Sequence, residues 1–222
     1  MFGYVDKRFS SCYAGARRKE LFICEKKCVS ASNMVKKALV FLAPGAEEME
    51  VVIVVDILRR GGIDVTVAGL PNASTVKCSR GTNIVPDVGV NDAASKGPYD
   101  VVILPGGLGG SKALAEFPIV GSILKDQEQS GRLIAAICAA PTALKAHGIA
   151  EGKTLTSYPA MKTEMEEGGK YKYSEEKVVV DGNLITSRGP GTAFDFALKI
   201  VDHLEGKDQA STIAKAMLVN YA

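Results

Sequence analysis

Residues 133–148, LIAAICAAPTALKAHG, constrain the fold of this chain more than any other stretch. The first half is an apolar, partly β-branched run of the kind that fills a buried strand. The second half places Pro141 where a helix would begin and Gly148 where it would end. Cys138 stands at the joint. In an open α/β sheet such joints lie at the carboxyl edge, where ligands and reactive groups collect. A thiol there faces the positive end of the helix, which favours the nucleophilic, oxidisable thiolate. The alternative is a free Cys acting as a small core hydrophobe.

Composition narrows the setting. The chain has 222 residues, 46% hydrophobic and 23% charged, which suits a globular domain with a substantial core. A net charge of +2 gives no reason to expect a nucleic-acid or membrane partner. Five Cys without a C-x-x-C pair or a secretory signal argue for a reducing compartment, and the expected localisation is cytoplasmic. Residues 1–33 read as an N-terminal extension with seven Lys or Arg against three Asp or Glu. They fit a targeting presequence or a weakly ordered leader before an alternative start at Met34, and Asp6, Glu20 and Glu25 speak for the leader. Cys24 and Cys28 lack the further ligands a metal site needs.

From residue 34 the signals are those of one α/β domain. Residues 38–43 read as a buried strand, followed by PGAEEME and a helix ending at Gly61 and Gly62. Glu47, Glu48 and Glu50 crowd that helix start. Complementarity to the helix dipole accounts for two of them, and one is left that could reach Cys138. Residues 63–68 give a second strand, hence a parallel sheet. Residues 75–85 read as a hairpin around Arg80 and Gly81, with Cys78 an ordinary half-exposed strand residue. After the strand at 100–104, PGGLGG reads as a loop whose N–H groups can form an anion pocket. A helix over 118–130 leads into the Cys138 strand.

Residues 154–156 give a short strand, and residues 178–186 a hairpin around Asp181-Gly182-Asn183. Phe194, Ala197, Leu198, Val201 and Leu204 mark the buried face of the next helix. A last helix over 208–219 carries a stripe of Ile213, Ala214, Met217 and Leu218. Arg188 suits either an anion or loop anchoring. The spacing after Gly107 and Gly109 fails the dinucleotide fingerprint, and Gly152-Lys153-Thr154 fails the phosphate-loop pattern. His147 and His203 sit near helix ends and read as structural. The joint at Cys138 has the form of a nucleophile elbow with Cys in place of Ser.

Taken in order, PGAEEME, CSR, GPYDVVILPGGLGG, LIAAICAAPTAL and DGNLITSRGPGTAFDFAL resemble the DJ-one family of the ThiJ/PfpI superfamily over residues 35–222. The resemblance implies a flavodoxin-like α/β sandwich with a mostly parallel central sheet, helices on both faces and a small β-hairpin, assembled as a homodimer. It implies that Cys138 is the reactive thiol and Glu50 its partner carboxyl. The Gly107 and Ala139 N–H groups complete the small-anion pocket, and Cys78, near the dimer interface, is a secondary oxidation site. No cofactor or metal is implied.

Tyr158 stands where many family members have His. A phenol with a reference pKa of about 10 cannot replace imidazole as a neutral-pH base, which leaves Tyr158 at most orienting substrate and disfavours a protease. Two functions are implied. One is an oxidative-stress response protein in which peroxide converts Cys138 to sulfinate, with chaperone-like, mitochondrial and nuclear roles. The other is a glutathione-independent glyoxalase or deglycase acting on small aldehydes through Cys138 and Glu50.

Overall fold

The computed structural model describes residues 34–221, so the readings of the extension and of Cys24 and Cys28 lie outside the described residues. The chain runs β1 (Lys37–Leu42), α1 (Glu48–Arg60), β2 (Asp64–Gly69), β3 (Val76–Lys77), β4 (Asn83–Ile84), β5 (Val88–Gly89), α2 (Val90–Ser95) and β6 (Val101–Leu104). It continues α3 (Leu108–Glu116), α4 (Pro118–Gln129), β7 (Leu133–Ile137), α5 (Pro141–His147), β8 (Thr154–Leu155), α6 (Lys162–Glu166) and β9 (Lys172–Tyr173). Last come β10 (Val178–Asp181), β11 (Leu184–Ser187), α7 (Ala193–Glu205) and α8 (Lys207–Ala216).

Seven strands form one sheet in the order β10-β11-β7-β6-β1-β2-β5. Every pairing is parallel except the β10–β11 hairpin. The strands read as continuous apolar runs because both faces are covered. Ala38 and Val40 of β1 pack with Val101, Leu133 and Ile185 against α1, α7 and α8. Leu39 and Phe41, pointing the other way, pack with Val102, Ile134 and Leu184 against α2, α4 and α5. Each such side chain, when fully buried, contributes about 1.5–3 kcal/mol. The flavodoxin-like sandwich expected from the sequence is therefore present, and β3 and β4 form the small antiparallel hairpin beside it.

The differences have local causes. PGGLGG is not all loop, since α3 begins at Leu108 and uses its glycines for close approach. A Cβ on Gly110 would lie 2.8 Å from the Ala46 Cα. The strand expected at 154–156 pairs with β9 outside the main sheet. On α7 the fully buried residues include Phe196 and Ile200, whereas Phe194 and Leu204 are only partly covered. The helix is covered by α1, α8 and the sheet, so its buried arc is wider than one stripe. The last helix ends at Ala216, and Leu218, with φ 59°, turns out to 94% exposure instead of joining the stripe.

Candidate active site around Cys138

The chain leaves β1 toward β2 and β5, then returns to place β6 and β7 on the other side of β1. This reversal opens a crevice at the carboxyl edge, and the segments after β1, β6 and β7 meet there. They deliver Glu50, the pair Gly106–Gly107, and Cys138.

Cys138 has φ 64°, a left-handed conformation that is uncommon for a side chain other than Gly or Asn. Its N–H donates to the Ser187 carbonyl at 3.0 Å, and its carbonyl accepts the Tyr158 N–H at 2.7 Å. Two flanking segments thus fix the elbow, and strain held by its surroundings is typical of functional positions. Cys138 is 8% exposed, and the Gly107 and Ala139 N–H groups favour its thiolate. Beside it opens a cleft of about 380 Å³ lined by Ala139, Thr142, Leu108, Lys112, Met161 and Glu164.

The three glutamates that composition alone could not separate have three different partners. Glu47 caps α1, accepting the Glu50 N–H at 2.9 Å. Glu48 turns to the β3–β4 hairpin and accepts from Ser79 Oγ at 3.0 Å, Arg80 N at 2.9 Å and Thr82 N at 3.3 Å. Burial alone would raise its pKa, but its own N–H and those hairpin donors hold the carboxyl at about 2. Glu50, fully buried, turns inward and accepts the Gly106 N–H on Oε2 at 2.7 Å. Its Oε1 is buried without a hydrogen-bond partner among the described residues.

Burial pushes Glu50 up to about 7 against the lowering effects of Gly106 N–H and the thiol, and the Glu47 charge adds to the rise. Burial and the charge of an ionised Glu50 push the Cys138 thiol up to about 12, opposed by the Gly107 and Ala139 N–H groups. The N–H groups after β6 and at the start of the α5 turn favour the thiolate as expected, and burial and the Glu50 charge oppose them. The two groups titrate as a unit. A proton on Glu50 removes its charge and makes it a donor, so two of the causes that disfavour the thiolate disappear together.

Gly106 is the residue the sequence reading passed over. A Cβ there would sit 2.5 Å from the Cys138 Cβ and 2.8 Å from Glu50 Oε2. Gly107, at φ 83°, would put a Cβ 2.4 Å from the Gly45 carbonyl oxygen. The adjacent glycines at a strand end were the available signal.

The family-model comparison matches residues 36–203 to the DJ-1/PfpI family. The chain belongs to the DJ-1/PfpI family. It is 58% identical to Protein dj-1beta of Drosophila melanogaster over 189 residues, covering 85% of this chain and all of that one. It is 49% identical to the Caenorhabditis elegans protein named glutathione-independent glyoxalase DJR-1.2, covering 82% of this chain and 96% of that one. Among solved structures, the crystal structure of Drosophila melanogaster DJ-1beta superposes with a TM-score of 0.82, over 85% of this chain and 100% of that one.

Not every residue singled out from the sequence converges on this DJ-1/PfpI site. Tyr158 reaches it through its main chain, while its ring is 44% exposed and its hydroxyl bonds to neither Cys138 nor Glu50. Cys78 is not half-exposed but buried against Leu42, Ala46, Val51 and Val67, because the hairpin folds back over α1 and the sheet. Arg188 donates to the Glu175 carbonyl at 2.8 Å, a loop anchor. His147 bonds the Leu114 carbonyl at 2.9 Å. Among the described residues no cluster of His, Cys, Asp or Glu is arranged to hold a metal, and no helix is long and apolar enough to cross a membrane.

Proposed function

We propose that this DJ-1/PfpI protein is an oxidative-stress response protein whose Cys138 is the peroxide-reactive group. The observation that carries the reading is Glu50 Oε1, buried without a hydrogen-bond partner among the described residues, on a carboxyl beside Cys138 that takes its proton near neutrality. The Cys138 thiolate attacks one peroxide oxygen, breaking the O–O bond and releasing water, and a second peroxide carries the sulfenate to the sulfinate. Gly107 and Ala139 N–H groups hold the new oxyanion, and protonated Glu50 donates to it. Chaperone-like protection, and residence in the cytoplasm with mitochondrial and nuclear pools, belong to the same proposal. So does a homodimer, for which exposed Val52 and Val85 line one apolar groove with Ile84.

A second reading is favoured by the similarity to the glyoxalase of Caenorhabditis elegans and by the open cleft beside Ala139. Here Cys138 adds to the aldehyde carbon of methylglyoxal to give a hemithioacetal, Glu50 moves the proton from that carbon to its neighbour to give a lactoyl thioester, and water cleaves the C–S bond to release lactate and the thiol; early glycation adducts would enter through the same attack on carbon. Mild peroxide should add two oxygens to Cys138 in peptide mass spectra, and a Cys138→Ala variant should gain none at that peptide. Failure of wild-type Cys138 to acquire them overturns the first reading. Methylglyoxal turnover no greater than in Cys138→Ala removes the second, and Tyr158→Phe is expected to alter neither.

A further inference from the structure

We propose that Glu48, which touches no reacting atom, is a positioning residue that sets the Cys138–Glu50 pair by clamping the β3–β4 hairpin onto the loop preceding α1. The inference rests on the reading of Cys138 as the oxidised thiol with Glu50 as its partner.

A hairpin with two residues in each strand does not hold its shape unaided. Here the Glu48 carboxylate accepts from Ser79 Oγ and from the Arg80 and Thr82 N–H groups, gathering the hairpin turn at one point. The Ser79 N–H donates to the Ala46 carbonyl at 2.8 Å, and the Gly45 N–H donates to the Lys77 carbonyl at 3.0 Å. On its other side the same loop donates from Glu47 N–H to the Gly106 carbonyl at 3.0 Å. Gly106 in turn donates its N–H to Glu50.

Residues 45–48 are thus held between the hairpin and the glycine pair that contacts both members of the site. Glu48 itself is only 8% exposed, and its charge acts on the Cys78 thiol of the same hairpin. Without the carboxylate, three hairpin donors lose their acceptor, the hairpin loses its hold on the loop, and Glu50 loses the fixed support that aims it at Cys138. Misplacement by about 1 Å is enough to cost on the order of a hundredfold in a reacting geometry.

The test uses the full chain with Glu48→Gln, Glu48→Ala and Ser79→Ala, and with Glu50→Ala as the reference for a lost partner. The pH profile of Cys138 alkylation by iodoacetamide and the rate of sulfinate formation are measured. Glu48→Ala is expected to slow sulfinate formation at least about tenfold and to move the alkylation profile toward that of Glu50→Ala. Glu48→Gln, whose amide oxygen still accepts, should fall between it and wild type, and Ser79→Ala should fall closest to wild type. Should Glu48→Ala not fold, the other two decide by the same order.

A folded set with the wild-type profile and rate overturns the inference, as does a slower reaction with an unmoved profile, which would mark Glu48 as a hairpin anchor alone. Wild-type protein that forms no sulfinate would instead overturn the reading on which the inference rests.

Discussion

Glu50 and Gly106, 56 residues apart in the chain, meet in a buried 2.7 Å hydrogen bond that fixes one carboxyl oxygen and leaves the other buried without a hydrogen-bond partner among the described residues. The bond requires that position 106 carry no side chain, because a Cβ would collide with the Cys138 Cβ and with the accepting oxygen itself. Gly106→Ala is therefore expected to destabilise the fold by about 1–3 kcal/mol and to abolish sulfinate formation in the molecules that still fold. Thermal unfolding and peptide mass spectrometry after peroxide check it. Wild-type oxidation in Gly106→Ala would show that the close approach is dispensable.

The buried carboxyl also makes stability depend on pH. A Glu50 pKa raised to about 7 from an ordinary 4.5 means that the folded state binds more protons than the unfolded chain between those values. Its contribution is fully present below the unfolded pKa and is lost as pH rises through about 7, with a span on the order of 3 kcal/mol. Glu50→Gln keeps an acceptor for Gly106 and carries no charge. It should match wild type near pH 5 and unfold several degrees higher at pH 8. Parallel pH-dependent slopes for the two proteins would contradict this assignment.

Much of this site was legible before the fold was known, and the reasons are local. Pro141, Gly148 and the apolar run before Cys138 encode a strand, a joint and a helix within 16 consecutive residues, and β7 and α5 follow that pattern. Composition alone did not separate Glu47, Glu48 and Glu50, and only the family resemblance picked out Glu50, because the partners of Glu48 and Glu50 are a distant hairpin and the β6 loop. The burial of Cys78 was hidden for the same reason. Alternation within its own strand says nothing about the hairpin folding over Leu42 and Val51. Gly106 is set apart by the close approach of Cys138 and Glu50, which its place in the sequence does not show.

The two described thiols face carboxylates of opposite character. Burial, helped by the nearby Glu48 and Glu47 charges, pushes Cys78 up to about 11. Glu48 stays ionised down to about pH 2, so its repulsion of a Cys78 thiolate persists throughout the neutral range. Glu50 instead takes a proton near pH 7, which withdraws the charge that helps push Cys138 up to about 12 and lets the carboxyl donate to sulfur. Limited peroxide near pH 7 should therefore oxidise Cys138 first, with Cys78 following only at higher dose or on unfolding. Time-resolved peptide mapping reads the order, and equal rates at the two cysteines would refute it.

The backbone at Cys138 makes a last prediction that runs against the usual ranking of small residues. At most positions Gly is less stable than Ala, since it adds freedom to the unfolded chain. At φ 64° the order should reverse, because a Cβ in left-handed conformation costs about 1–2 kcal/mol that Gly does not incur. Cys138→Gly should therefore be more stable than Cys138→Ala by about 1 kcal/mol, a difference of roughly 2–4 °C in a chain of this size. Both variants remove the thiol and leave the Ser187 and Tyr158 hydrogen bonds to the main chain available, so the comparison isolates the conformation of the elbow. Thermal melts in one reducing buffer decide it. Equal stability, or a more stable Cys138→Ala, would mean that the elbow relaxes out of the left-handed region once sulfur is absent, and that the thiol itself holds it there.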